Sequence, residues 1–165
     1  MVVTSGLVAL VGYRFAGSPE LPAMCWFAAI GVRLIQLDLV SRRLPHLHVG
    51  AMVLGGLPLL TRAALVEDDL GGLLRGLTTA SVLFIAMHLA VSRGGIGGGD
   101  ANLLAAVGLY LGKAGWEQLV HGLAAAVALA GCAALALVTL RRVSSRDPIA
   151  VGPAIFGGAL IALLP

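Results

Sequence analysis

Apolar residues occupy this chain in long blocks, broken by short clusters of charge, glycine and proline. Between Glu117 and Arg141 lie 23 residues without a formal charge, and none occurs from Pro148 to Pro165. A helix needs about 20 mostly apolar residues to cross roughly 30 Å of hydrocarbon. The blocks predict spans near 1–16, 21–40, 47–66, 70–92, 101–114, 117–140 and 149–164. The first, fifth and last are short for a full crossing. The pattern therefore predicts six or seven transmembrane helices in a single integral-membrane domain over residues 1–165. The first span has no basic n-region or small-residue cleavage site, so it is expected to belong to the mature structure.

Composition names the solvent. The 165 residues carry 19 formal charges, 11 basic and 8 acidic, against 59% apolar residues and a mean hydropathy of +0.99. Soluble domains hold about 25% charged residues, and at 12% this chain cannot cover a water-facing surface. Disorder is excluded by the same numbers, since disordered chains are charge-rich and apolar-poor. The expected fold class is all-α, a polytopic membrane helix bundle with lipid as its surroundings.

Orientation follows from the arginines. Arg42 and Arg43 follow the second span, Arg93 the fourth, and Arg141, Arg142 and Arg146 the sixth. The alternate loops carry Arg14 with Glu20, then Glu67-Asp68-Asp69, then Lys113. Positively charged short loops stay in the cytoplasm, so six basic residues face in, the acidic cluster faces out, and the N-terminus is cytoplasmic. The net charge of +3 is then a topology signal. Nucleic-acid binding would need a basic groove with stacking aromatics, and eight aromatics scattered through apolar spans do not make one. Cys25 and Cys132 stand singly in apolar spans, without CxxC spacing, and read as small buried hydrophobes. No metal, cofactor or disulfide framework is expected.

Two carboxylates resist assignment to loops. Asp38 closes the second span in Leu37-Asp38-Leu39-Val40, just before Ser41-Arg42-Arg43-Leu44-Pro45. Asp100 opens the fifth, directly after Gly94-Gly95-Ile96-Gly97-Gly98-Gly99. Ionisable residues at the edge of spans are costly and are functional candidates; taken singly, Asp100 also reads as a helix cap and Asp38 as a membrane-edge partner of Arg42 or Arg43, and it is their joint placement that favours catalysis. The second span runs inward and the fifth outward, so both aspartates fall at one depth on the cytoplasmic face. Two carboxyls within a few ångströms share a proton, as in aspartic proteases. One takes a proton from water while the other donates to the peptide carbonyl. Gly97, Gly98 and Gly99 give the backbone conformational freedom, which would let an extended substrate approach Asp100.

Asp38 followed by Arg43 and Pro45, then Gly97-Gly98-Gly99-Asp100 with Leu103-Leu104 behind it, resembles the type IV prepilin peptidases, intramembrane aspartic proteases of the GxGD group. The resemblance runs roughly from the second span to the end and includes Asp147-Pro148-Ile149 and Gly152-Pro153. It implies Asp38 and Asp100 as the catalytic aspartates, and Gly97, Gly98, Gly99, Arg43 and Pro45 as the substrate-binding set. It implies a prepilin or pseudopilin substrate with a basic leader, cut after a glycine that precedes an apolar helix. Pilus-assembly or secretion machinery would be the partner, in the inner membrane with the active site facing the cytoplasm. Bifunctional members add a cytoplasmic region with paired CxxC motifs and methylate the new N-terminus; without those motifs, the chain is expected to be of the short, cleavage-only form.

Asn102 stands where the family often has lysine, and His46 where Asn or Asp is common. These features define one rival reading, a non-catalytic relative acting as a membrane scaffold. A small transporter subunit is the other. Among the remaining polar residues, Arg33 is expected to snorkel, and Arg75 to snorkel or meet the acidic loop. His88 and His121 should bond between helices, and His46 and His48 should lie in a loop near the aspartates. The small residues Gly122 to Ala126 and Gly157-Gly158-Ala159 are expected to be helix-packing surfaces.

Overall fold

A computed structural model of the chain describes residues 2–41, 46–93, 97–140 and 151–164. These form α1 (Val2–Arg14), α2 (Leu21–Ser41), α3 (His46–Glu67), α4 (Leu70–Ser92), α5 (Gly98–Ala114), α6 (Trp116–Thr139) and α7 (Gly152–Leu163). No strand occurs among the described residues. The protein is an all-α membrane helix bundle. Four helices, α2, α3, α4 and α6, are long and apolar enough to cross a membrane. The outward faces of these helices are apolar, with Leu54, Val82, Val127 and Leu135 exposed. Such a surface suits lipid and would be unstable in water.

The short helices match the short hydrophobic blocks. At 1.5 Å per residue, the 17 residues of α5 reach only about 26 Å. That length is tolerable because α5 is the interior helix. Ala101, Leu103 and every residue from Ala105 to Lys113 are buried, and its polar ends meet protein groups, as backbone at membrane depth requires.

Glycine and aromatic residues seat the neighbours around α5. Gly55 and Gly56 leave a flat patch on α3, where the Trp26 indole of α2 and the Tyr110 phenol of α5 both lie. The indole N–H donates to the Ala51 carbonyl at 3.1 Å and the phenol O–H to the Met52 carbonyl at 2.9 Å. Each ring thus satisfies its polar tip; Tyr110 is fully buried, whereas Trp26 lays the indole on Gly55 and keeps its outer side exposed. Phe27 of α2 packs between Tyr110 and Phe156 of α7, with ring centroids 4.6 and 4.9 Å away. These rings tie α2, α5 and α7 into one unit.

Two crossings bring backbone against backbone. A methyl group on Gly76 of α4 would lie 2.6 Å from the Leu109 carbonyl oxygen of α5. One on Gly158 of α7 would collide with the α6 backbone at Gly122 and Ala126. The second crossing is the one expected from the small-residue runs. In lipid, where no hydrophobic force drives helices together, such close approach supplies the attraction.

Candidate active site

Polar centres lie at both ends of α5. At its start, Asp100 sits in the first turn. Asp38 arrives from the C-terminal end of α2 and is 4% exposed. Its Oδ2 accepts the backbone N–H of Gly152, the first residue of α7, at 3.1 Å. The field of Asp38 acts on Asp100, so the structure brings the two sequence-predicted carboxyls within electrostatic reach. Three chain segments, separated by more than 50 residues each, converge here.

Gly152 is the site residue that the pattern analysis gave no role. A methyl group there would stand 2.6 Å from Asp38 Oδ2 and 3.2 Å from its Cγ. Glycine therefore lets α7 offer its N–H to the buried carboxyl at close range. The Gly-Pro pair that opens the last apolar block was the available signal, since proline is favoured in the first helical turn.

The glycines before Asp100 act differently from expectation. Gly97 is extended, with φ −71° and ψ 137°, and caps α5. Gly98 and Gly99 are already helical. At Gly97 and Gly98 no conformation reserved for glycine is used; the reason for glycine at 97 is room, because a methyl group would stand 3.3 Å from Asp100 Oδ2. Arg43 and Pro45 lie outside the described residues, as do Arg42, Arg141, Arg142, Arg146 and the Asp147-Pro148-Ile149 segment.

Several other expectations need correction. His46 and His48 open α3 rather than lying in a loop, and His48 Nδ1 is buried without a hydrogen-bond partner among the described residues. His88 does not bridge helices. Its Nδ1 pairs with the Phe84 carbonyl of the same helix at 2.9 Å, and its ring stacks on Phe84. His121 is exposed on α6, and so is Cys132, so only Cys25 is even half-buried. Arg33 is exposed, in keeping with a side chain reaching outward. Of the two expectations for Arg75 the meeting with the acidic loop holds, since its charge acts on Asp69; its Nε also donates to the Gly112 carbonyl at 2.7 Å and its Nη2 to that of Lys113 at 3.0 Å. It caps the C-terminus of α5, where four carbonyls lack helical partners.

The far end of α5 holds the second centre. Lys113 is 3% exposed and its Nζ meets Glu20 at 2.8 Å, Asp69 at 3.0 Å and Glu67 at 3.3 Å. Asp69 also accepts the Gly72 N–H at 2.9 Å through Oδ1, capping α4. The Lys113 ammonium, joined by that N–H, holds the Asp69 carboxyl below its usual range. The charge pattern had assigned these four residues to one face, but as solvated loop groups. They form instead an ion cluster tying the start of α2, the α3–α4 turn and the end of α5. In that turn Asp68 adopts φ +54°, which aspartate tolerates better than most residues.

Fold and site together define a class: a polytopic α-helical membrane protein with a carboxyl from each of two helices near one end of the bundle. The type IV leader peptidase family matches residues 23–139, and the chain belongs to that family. It is similar to the prepilin leader peptidase/N-methyltransferase of Bacillus subtilis (strain 168), at 30% identity over 166 aligned positions. That alignment covers 99% of this chain and 63% of the relative, so the chain spans less than two thirds of its length. No solved structure matches the chain.

Proposed function

We propose that the protein is an intramembrane aspartic endopeptidase that removes the basic leader from type IV prepilin-like substrates, cutting after glycine on the cytoplasmic side. The observation that carries the reading is that Asp38, at the end of α2 and held by the Gly152 N–H, lies near enough to Asp100 at the start of α5 for its charge to act there. One carboxyl is ionised and takes a proton from a water molecule. The water oxygen bonds to the peptide carbonyl carbon while the protonated carboxyl gives its proton to the carbonyl oxygen. Collapse of this gem-diol breaks the C–N bond and passes a proton to the leaving amine. The products are a new carboxyl-terminus and a new amino-terminus, with the pair returned to its starting state. The arrangement asks for neither a metal nor a covalent intermediate.

The same orientation argument supports a cytoplasmic site in the inner membrane. Arg93 is exposed at the end of α4, and by the charge pattern its loop shares a face with the other arginine-bearing loops. At the opposite end the buried lysine is neutralised by three acids, so that end keeps no cationic excess to oppose the positive-inside rule. Arg43 and Pro45 are proposed to help seat the leader, and Gly97 to Gly99 to leave space for the extended strand at Asp100.

Cleavage of a co-expressed prepilin tests the reading directly. Wild type should shorten the substrate, and Asp38→Ala and Asp100→Ala should lose cleavage by at least a hundredfold at equal membrane levels. Normal cleavage by either variant rejects the pair. An inactive wild type with a cognate prepilin would favour the scaffold alternative.

A further inference from the structure

Asp38 and Asp100 are the same residue type but differ in what touches them. Asp38 is shut off from water and lies against the start of α7. In the first turn of that helix Pro153 has no N–H to give. The N–H groups of Ala154 and Ile155 return to the Val151 carbonyl, at 3.0 and 3.1 Å. The Gly152 N–H is left to donate, and Asp38 Oδ2 receives it. Asp100 also stands in the first turn of a helix, yet no donor among the described residues reaches its carboxyl. It is half-buried, three residues beyond the exposed Gly97.

We propose that α7 is a positioning element that sets the roles within the pair: the Gly152 N–H holds Asp38 as the ionised carboxyl that takes the proton from water, and Asp100 carries the proton that goes to the peptide carbonyl. The inference rests on the peptidase reading above and adds to it which carboxyl does which. Three effects point the same way. A hydrogen bond to a carboxylate oxygen favours the charged form. A helix N-terminus favours negative charge, and at Asp38 that field arrives through a direct bond. The Asp38 charge in turn acts on Asp100, and of two neighbouring carboxyls the one without the donor keeps the shared proton.

The steps balance with these roles. Water passes one proton to Asp38 as its oxygen bonds to the carbonyl carbon, and Asp100 gives its proton to the carbonyl oxygen. When the gem-diol collapses, the Asp38 proton goes to the leaving nitrogen and a diol hydroxyl returns a proton to Asp100. The pair ends as it began.

The test removes the donor and leaves every side chain in place. Cell-free translation of the full chain into lipid nanodiscs puts glycolate at position 152, an ester without the N–H. No bond inside α7 is lost, because the first N–H groups of a helix have no partner in it, but the ester weakens the Val151 carbonyl. The matching ester at Trp116, the first residue of α6, weakens the Gly115 carbonyl in the same way, beyond the other end of α5. With a prepilin-like substrate, the ester at 152 should lower kcat by about tenfold or more, with KM within about twofold of wild type. The ester at Trp116 should stay within about twofold in both.

Infrared spectroscopy then locates the proton. In the wild-type chain at its working pH, a carbon-13 carboxyl label at Asp100 should shift the carbonyl band of the neutral acid, and the same label at Asp38 should leave it unmoved. In the ester at 152 the label at Asp38 should move part of that band. A wild-type band that follows the label at Asp38, or neither label, overturns the proposal, and so does an ester at 152 with wild-type kcat. Any of these beside inactive Asp38→Ala and Asp100→Ala leaves the peptidase standing. An active alanine variant overturns the peptidase reading itself.

Discussion

Gly152 gives the sharpest test of how the candidate site is held. In Gly152→Ala the new methyl would stand 2.6 Å from Asp38 Oδ2, whereas ordinary contact begins near 3.4 Å, so the carboxyl or α7 must retreat by roughly 0.8 Å. The same displacement strains the 3.1 Å hydrogen bond from the Gly152 N–H. A hydrogen bond to a charged group is worth about 1.5–3 kcal/mol. Displacing a reacting group by about 1 Å costs on the order of a hundredfold in rate. Helix propensity opposes any loss of fold, because alanine is better than glycine in a helix by up to about 1 kcal/mol.

Gly152→Ala should therefore melt near wild type in detergent while cleaving a purified prepilin about a hundredfold more slowly, with the loss in kcat. Gly131→Ala, whose methyl group enters open space, should retain full activity. A folded Gly152→Ala enzyme with wild-type kcat would refute the reasoning, since the carboxyl would then not depend on this close approach.

Two further outcomes concern the opposite end of α5. Lys113→Met leaves Glu20, which is 15% exposed, without its cation, and breaking a buried pair from one side costs about 3–5 kcal/mol. Glu67 and Asp69 reach water and add little, so a loss of about 3 kcal/mol is expected in denaturant unfolding from mixed micelles. Adding Glu20→Gln should restore part of it, and a change of a few tenths would reject the cluster as a staple. Asp69 predicts a pH signature. Its folded pKa is depressed, so its contribution is complete above the unfolded value of about 3.9 and fades as pH falls through the lower folded value. Asp69→Asn keeps a capping oxygen for Gly72 but removes the charge. The variant should melt slightly below wild type at pH 7 and converge with it in acid; a gap that persists or widens in acid would contradict the assignment.

Much of the fold was legible because hydrophobic length is a local property. The block from Gln118 to Leu140 reappears as α6, Trp116–Thr139, and the charged turn Glu67-Asp68-Asp69 separates α3 from α4 where it was expected. The short fifth block is the short α5. Part of the site was legible too, since alternating topology puts the end of α2 and the start of α5 on one face. The histidines were misjudged for a related reason. A residue name tells what His88 can bond to, but the nearest acceptor proved to be the Phe84 carbonyl one turn back. His48 was assigned to a loop because the helix start at His46 has no strong local signal.

What the sequence by itself determined was the solvent, the approximate helices and which ends share a membrane face. Those depend on runs of side chains and on the sign of short loops, and both can be counted along the chain. Only the tertiary structure decided that α5 is the interior helix, that α7 brings Gly152 against Asp38, and that Lys113 is buried among three acids rather than solvated. Those facts depend on which helix faces come together. Small residues set that choice by contact between backbones far apart in sequence, and although a run of small residues marks a packing face, nothing local says which helix it meets.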